Sequence, residues 1–249
     1  MFTLRWGSAT DVGQLRSANE DSHWTSESAF VVADGMGGHA AGEVASQLAT
    51  EAFSELRGCG PVPIRLLEQT AQLANDRILQ TAAKRRDQYG MGTTLVGLFV
   101  SLCPDADPND PEPATGWAVL NIGDSRAYRW ADGQLSQVTV DHSEVQELVD
   151  SERLTPEQAR SYPRRNVVTR SLGSDPAPHP DIWSLPAVAG DRFLLCSDGL
   201  TNELSDDEIA KILASFEDPH HTAAELVRQA NAAGGKDNTT TIVVDVVSV

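Results

Sequence analysis

The chain has 249 residues, 40% of them hydrophobic, and a formal net charge of -17. A surface this acidic repels phosphate backbones, so nucleic acid is excluded as the expected partner, and no stretch approaches the ~18 consecutive apolar residues of a membrane span. The three cysteines, Cys59, Cys103 and Cys196, are scattered with no CxxC spacing, so neither a zinc site nor a disulfide framework is indicated and a reducing cytoplasm is the expected compartment.

No Gly/Ser- or Pro-rich linker divides the sequence into comparable halves, so we read residues 1–249 as one domain, large enough to bury a sizeable core. The N-terminus lacks the apolar core of a signal peptide. In chain order, "SAFVVADG" (Ser28 to Gly35) is an apolar, β-branched run that stops on Asp-Gly and reads as a buried strand. "AAGEVASQLATEAFSEL" (Ala40 to Leu56) has helical spacing, with Val44, Leu48, Ala52 and Leu56 on one stripe. Pro63 to Gln88 reads as a second long helix, proline near its start and basic residues near its end.

Thr93 to Leu102 and Thr115 to Trp130 read as strands, separated by a Pro- and Asp-rich loop, Cys103 to Ala114, expected to be exposed and mobile. "ADGQ" (Ala131 to Gln134) predicts a tight hairpin turn. Asp141 to Asn166 is a polar excursion with two short predicted helices, of a length that covers a site where it has a role. "DRFLLCSDGL" (Asp191 to Leu200) repeats the opening pattern of an apolar strand ending on Asp-Gly. Helices near Asp206–Ser215 and Thr222–Ala233 and a closing strand, "TTTIVVDVVSV", complete the chain. Clustered helices between runs of strands predict an α+β fold with antiparallel sheets rather than a parallel, doubly wound sheet.

Asp34 and Asp198 follow apolar strands and precede glycine, and Asp124 ("NIGDSR") and Asp237 ("GGKDNTT") sit at similar breaks. Any one Asp-Gly is ordinary turn chemistry. Together they form an oxygen-only set suited to Mg²⁺ or Mn²⁺, with glycines that let backbone and cation approach closely.

These strings, with "RSANED" (Arg16 to Asp21), "VADGMGGHAAGEVAS" (Val32 to Ser46), "MGTT" (Met91 to Thr94), "IGDSRAY" (Ile122 to Tyr128), "LTPEQA" (Leu154 to Ala159), "LLCSDGLT" (Leu194 to Thr201) and "GGKDNTT" (Gly234 to Thr240), resemble the metal-dependent Ser/Thr protein phosphatases of type 2C, in their bacterial single-domain form. The resemblance spans nearly the whole chain in the family's order. It implies a central antiparallel β-sandwich flanked by pairs of α-helices. It implies that Asp34 bridges two cations, Mg²⁺ or Mn²⁺, with the Gly35 carbonyl on one of them. Asp198 and Asp237 would bind the other, Asp21 would act through water, and Asp124 with Asp198 would form a weaker third site. Arg16 would hold the substrate phosphate, and a hydroxide shared by the two cations would attack phosphorus directly. His39 is a candidate acid for the leaving group. Eukaryotic relatives place a histidine directly after Asp-Gly, where this chain has Met36.

The excursion corresponds to the family's flap, about 141–175, with His142, Arg164 and Arg165 as candidate phosphopeptide contacts. Expected partners are phosphorylated proteins, Ser/Thr kinases or their substrates, met by a monomer. A non-catalytic module that keeps the fold, and a phosphatase of small metabolites, are the alternatives. A rival C-x5-R string, Cys59 to Arg65, is set aside because Pro61 and Pro63 remove two of the backbone donors such a loop needs. Cys196, in an apolar strand, reads as a core residue.

Overall fold

The computed structural model describes residues 2–37, 41–84, 88, 90–102 and 115–248. Its strands are β1 (Phe2–Asp11), β2 (Asp21–Thr25), β3 (Ala29–Met36), β4 (Gly92–Thr93), β5 (Leu95–Leu102), β6 (Thr115–Ile122), β7 (Arg126–Ala131), β8 (Gln134–Gln137), β9 (Asp181–Pro186), β10 (Arg192–Cys196) and β11 (Thr239–Ser248). Its helices are α1 (Ala41–Ser54), α2 (Ile64–Ala82), α3 (Glu144–Asp150), α4 (Pro156–Ala159), α5 (Asp198–Thr201), α6 (Asp206–Ser215) and α7 (Pro219–Ala233). One sheet runs β1-β11-β10-β7-β8 and the other β2-β3-β5-β6-β9, with β4 beside β3. Every strand pairing is antiparallel.

The expected α+β sandwich is the observed architecture. Apolar side chains lie in three layers. Phe30, Val32, Leu98, Trp117, Phe193 and Val244 fill the space between the sheets. Trp117 and Phe193 meet there with ring centroids 5.4 Å apart. The residues of β3 in the other register, Ala29, Val31 and Ala33, face outward under α1 and α2. Leu194, Cys196 and Val243 do the same under α6 and α7. A strand covered on both faces needs no polar face, which is why β3 and β10 read as continuous apolar runs.

The stripe predicted for α1 holds at its end, where Ala52 and Leu56 are buried, and shifts at its start. Val44 and Leu48 are only partly buried, while Ala41, Ala45, Ala49, Ala52 and Phe53 turn inward. Small side chains let this helix lie close on the sheet. The "ADGQ" turn is as expected: Asp132 and Gly133 both have positive φ, 51° and 77°, the pairing that matches the twist of a two-residue hairpin. The excursion carries its two short helices, α3 and α4, each started by a side-chain cap from Ser143 or Thr155. The loop 103–114 lies outside the described residues. Strands β1, β2 and β9 were not anticipated. Among the described residues no helix is long and apolar enough to cross a membrane.

Candidate active site

The site lies at one end of the sandwich, where loops from both sheets meet. Asp34 shares the register of Phe30 and Val32, so its carboxylate enters the space between the sheets just past the apolar layer. Asp21 stands opposite it in the β2–β3 ladder. The backbone of Asp34 is fixed from β4 and the residue after it. Its N–H donates to Thr94 Oγ1 at 3.0 Å, and its carbonyl accepts from Thr93 Oγ1 at 2.9 Å and Thr94 N at 2.9 Å. Thr94 Oγ1 is also 2.7 Å from Ser125 Oγ, which ties Asp34 to the turn that carries Asp124.

Asp198 and Asp237 come from the other sheet. Asp198 does not end its strand, as the sequence suggests; it begins α5, after Ser197. Asn202 Nδ2 donates to Asp198 Oδ2 at 2.9 Å. Ser197 Oγ donates to Asp21 Oδ2 at 2.8 Å, linking the two sheets across the site. Asp237, before β11, accepts from Arg16 Nη2 at 2.6 Å. The glycines after Asp34 and Asp198 serve close approach rather than turns. Neither has positive φ. A Cβ on Gly35 would strike the Gly42 carbonyl, and one on Gly199 the Asn238 carbonyl.

Gathering carboxylates here raises their proton affinity. The Asp34 acid is held well above its ordinary range by burial and then by Asp21, Asp198, Asp124 and Asp237. Asp124 is raised by burial, then by Asp198 and Asp141. Asp198 is raised by burial and Asp237, against the pull of Asn202. Asp21 is pushed up to about 7, by burial first, against hydrogen bonds from Thr240 and Ser197. Among the described residues no three acidic, His or Cys side chains close into a finished cage. Two facts still fit a hard divalent cation. Among the described residues Asp21 Oδ1 and Asp198 Oδ1 are buried without a hydrogen-bond partner, and the donor set is all oxygen, as Mg²⁺ and Mn²⁺ require.

A pH dependence follows for chelator-treated protein. An acid whose folded pKa exceeds its unfolded value of 3.8 takes up its proton in the folded state first. Its stabilising contribution is therefore present at low pH and lost as pH rises through about 7. Metal-stripped protein should melt higher at pH 6 than at pH 8, and Asp21→Asn should flatten that rise. An equal slope in the variant would remove Asp21 as its source.

The sequence-predicted residues separate. Arg16, Asp21, Asp34, Asp124, Asp198 and Asp237 interact as one group. His39 lies outside the described residues. Arg164 is exposed and turned to Glu144 at 2.6 Å. Arg165 lines a cleft of about 560 Å³ between the flap and α5–α6 that reaches Asp124 and Asp198. His142 is buried beneath the flap with both ring nitrogens engaged, not on a peptide-facing surface. Cys196 is a core thiol, its pKa pushed up to about 12 by burial.

The strings "MGTT" and "GGKDNTT" carry no local sign of the roles of Thr93, Thr94 and Asn238. Asn238 staples the segment that carries Arg16 and Asp21. Its Oδ1 accepts from Glu20 N at 2.7 Å, and its Nδ2 donates to the carbonyls of Val12 and Ala18, both at 2.9 Å. The only signal was position beside a candidate ligand.

The sequence profile of the family described as protein phosphatase 2C matches residues 16–233. The serine/threonine protein phosphatase PstP of Mycobacterium tuberculosis is 39% identical over 99% of this chain, which spans 46% of that relative's length, about half. The serine/threonine phosphatase stp of Listeria monocytogenes is 34% identical over 95% of this chain and 93% of its own. The crystal structure of the PstP catalytic domain in complex with two manganese ions superposes with a TM-score of 0.88 at 36% identity, over 100% of both chains.

Proposed function

The chain belongs to the protein phosphatase 2C family, and on that premise we propose that it is a metal-dependent phosphatase that removes phosphate from phosphoserine and phosphothreonine in proteins. The observation that carries this reading is the aspartate group itself. Five carboxylates from five separate segments interact beside one arginine; Asp21, Asp34, Asp124 and Asp198 have raised proton affinities, and Asp21 and Asp198 each keep a buried oxygen without a hydrogen-bond partner among the described residues.

Asp34, the Gly35 carbonyl, Asp198 and Asp237 would hold two cations, with Asp21 acting through water and Asp124 with Asp198 offering a weaker third position. Manganese is a suitable occupant, as in the related PstP domain, and magnesium suits the same oxygens. When bound, the cations supply Lewis acidity that offsets charge developing on the phosphoryl oxygens. Arg16 is half exposed and holds Asp237 by Nη2. Its remaining guanidinium N–H groups can donate to phosphoryl oxygens in a planar array that lysine lacks. The residues flanking the phosphoamino acid would run into the cleft, which the flap side chains Arg160 and Arg165 line. His39 would protonate the departing alkoxide.

The substrates are phosphorylated proteins, Ser/Thr kinases or their targets, in the cytoplasm. The acidic composition and scattered cysteines support that compartment. We read residues 141–175 as a flap on a single catalytic domain. A monomer is our reading; among the described residues the large exposed apolar side chains are Leu15, Leu73, Leu102, Val140, Val167 and Val188, dispersed along the sequence.

The test is phosphate release from a phosphothreonine peptide by chelator-stripped protein, with and without Mn²⁺, against a sugar phosphate as competitor substrate. Turnover of the peptide only with metal is expected. No turnover with Mn²⁺ demonstrably bound would overturn the catalytic reading, and preference for the sugar phosphate would overturn the protein substrate.

A further inference from the structure

We infer that His142 is a positioning residue, which locks the Gly123–Asp124 turn to the base of the flap and so fixes the Asp124 carboxylate. The inference rests on Asp124 belonging to the cation set proposed above.

His142 grips Gly123 at both of its polar backbone groups. Gly123 N donates to His142 Nδ1 at 3.0 Å, and His142 N donates to Gly123 O at 2.9 Å. Because Nδ1 accepts, the ring hydrogen sits on Nε2. It is given to Asp181 Oδ2 at 3.0 Å. Asp181 Oδ1 accepts from Arg170 Nη1 at 2.9 Å. The carbonyl of His142 accepts from Thr169 N at 2.8 Å, and Ser143 bridges Val168. One residue thus joins the turn before β7, the start of the flap, the flap's return segment and the start of β9, its ring bonding the turn and β9 and its backbone the rest.

The turn has few other anchors. Gly123 has φ 109°, and a Cβ there would collide with Thr94, so its backbone path belongs to glycine. Asn121 Nδ2 shares the carbonyl, at 2.9 Å. The N–H has His142 alone among the described residues. On the far side, Ser125 meets Thr94, which holds Asp34. A shift of this turn therefore moves Asp124 relative to both Asp34 and Asp198. Since Arg170 and Thr169 belong to the flap's return, the flap and the Asp124 carboxylate move as one body.

The experiment compares His142→Ala, His142→Asn, Asp124→Asn and Leu213→Ala, a core change on the buried face of α6. Each protein is loaded with Mn²⁺ and assayed below the melting point of all of them. The readouts are kcat and KM on p-nitrophenyl phosphate and Mn²⁺ binding followed by electron paramagnetic resonance. Asparagine can place Oδ1 where Nδ1 accepts, but cannot reach Asp181. His142→Ala should lower kcat and weaken the loosest Mn²⁺ step by about tenfold or more, as Asp124→Asn does, with KM little changed. His142→Asn should recover most of both. The double variant His142→Ala with Asp124→Asn should be no worse than the poorer single one. Leu213→Ala should lose melting temperature yet keep kcat and Mn²⁺ binding. If His142→Ala behaves like Leu213→Ala while Asp124→Asn is impaired, the positioning role is wrong and the cation set stands. If Asp124→Asn matches the parent in turnover and Mn²⁺ binding, the cation assignment of Asp124 fails, and the inference with it.

Discussion

Asp34→Asn, assayed with saturating Mn²⁺ on a phosphothreonine peptide, should release phosphate at least ~10³-fold more slowly than the parent. Asparagine keeps the volume and one acceptor oxygen but has no charge to place between two cations. The backbone that presents it does not depend on the side chain. Thr93 and Thr94 hold residue 34 through its N–H and carbonyl. The loss is therefore one of chemistry, and the variant should fold. Without metal the sign of the stability change should even reverse. Asp34 is raised by burial and by four neighbouring acids, so a neutral amide relieves repulsion. Relief of about 1 kcal/mol would raise the melting temperature of a chain this size by roughly 2–4 °C. Near-parental turnover would sink the ligand assignment. A lower melting temperature in metal-free protein would sink the electrostatic account.

The second large effect lies at the other end of the sandwich and touches stability alone. Asp245 on β11 stands opposite both Arg5 on β1 and Arg192 on β10. Arg192 donates Nε to Asp245 Oδ1 at 2.6 Å and Nη2 to Oδ2 at 3.0 Å, with both side chains only 10% exposed. Its remaining hydrogens go to the carbonyls of Leu213, Phe216 and Glu217, at 2.7, 2.6 and 3.0 Å. One guanidinium thus serves the C-terminal end of α6. Asp245→Ala leaves that charge buried and unpaired, which should cost about 3–5 kcal/mol and lower the melting temperature by roughly 10 °C. kcat at low temperature should be unchanged, because the aspartate group is at the opposite end. Arg192→Met with Asp245→Ala should recover only part, since the α6 carbonyls lose their donor as well. A single variant that melts within a degree or two of the parent would show that the pair contributes little.

The contrast between these two ends shows what was legible in the sequence. Strands β3, β10 and β11 announce themselves because both faces are covered, so their apolar runs are unbroken. β1 alternates, with Leu4 and Trp6 turned to the core and polar residues between them, and β9 is a half-buried edge strand. Both signals are weak until a partner strand is present to give one face meaning. The same division holds in the site. The aspartates were legible because their chemistry is local to Asp-Gly and Gly-Asp strings. Thr94, Ser197 and Asn238 were not, because each acts on a residue 60, 176 or 218 positions away. His142 was legible as a residue of interest but not in its role. Whether a histidine faces a peptide or a backbone amide is settled by burial, which no short window contains.

The pairing of β1 with β11 has a consequence in time. Phe2 to Asp11 meets its partner only at Thr239 to Ser248. Arg16 and Asp237, joined across the site, lie on the segments that this zipper brings together. Closing so distant a contact is an entropically late event in folding. A growing chain can pack α1 and α2 onto β3 long before it owns a complete aspartate set. Catalysis should therefore be absent from any chain that stops short of β11, because it lacks both Asp237 and the strand that closes on β1.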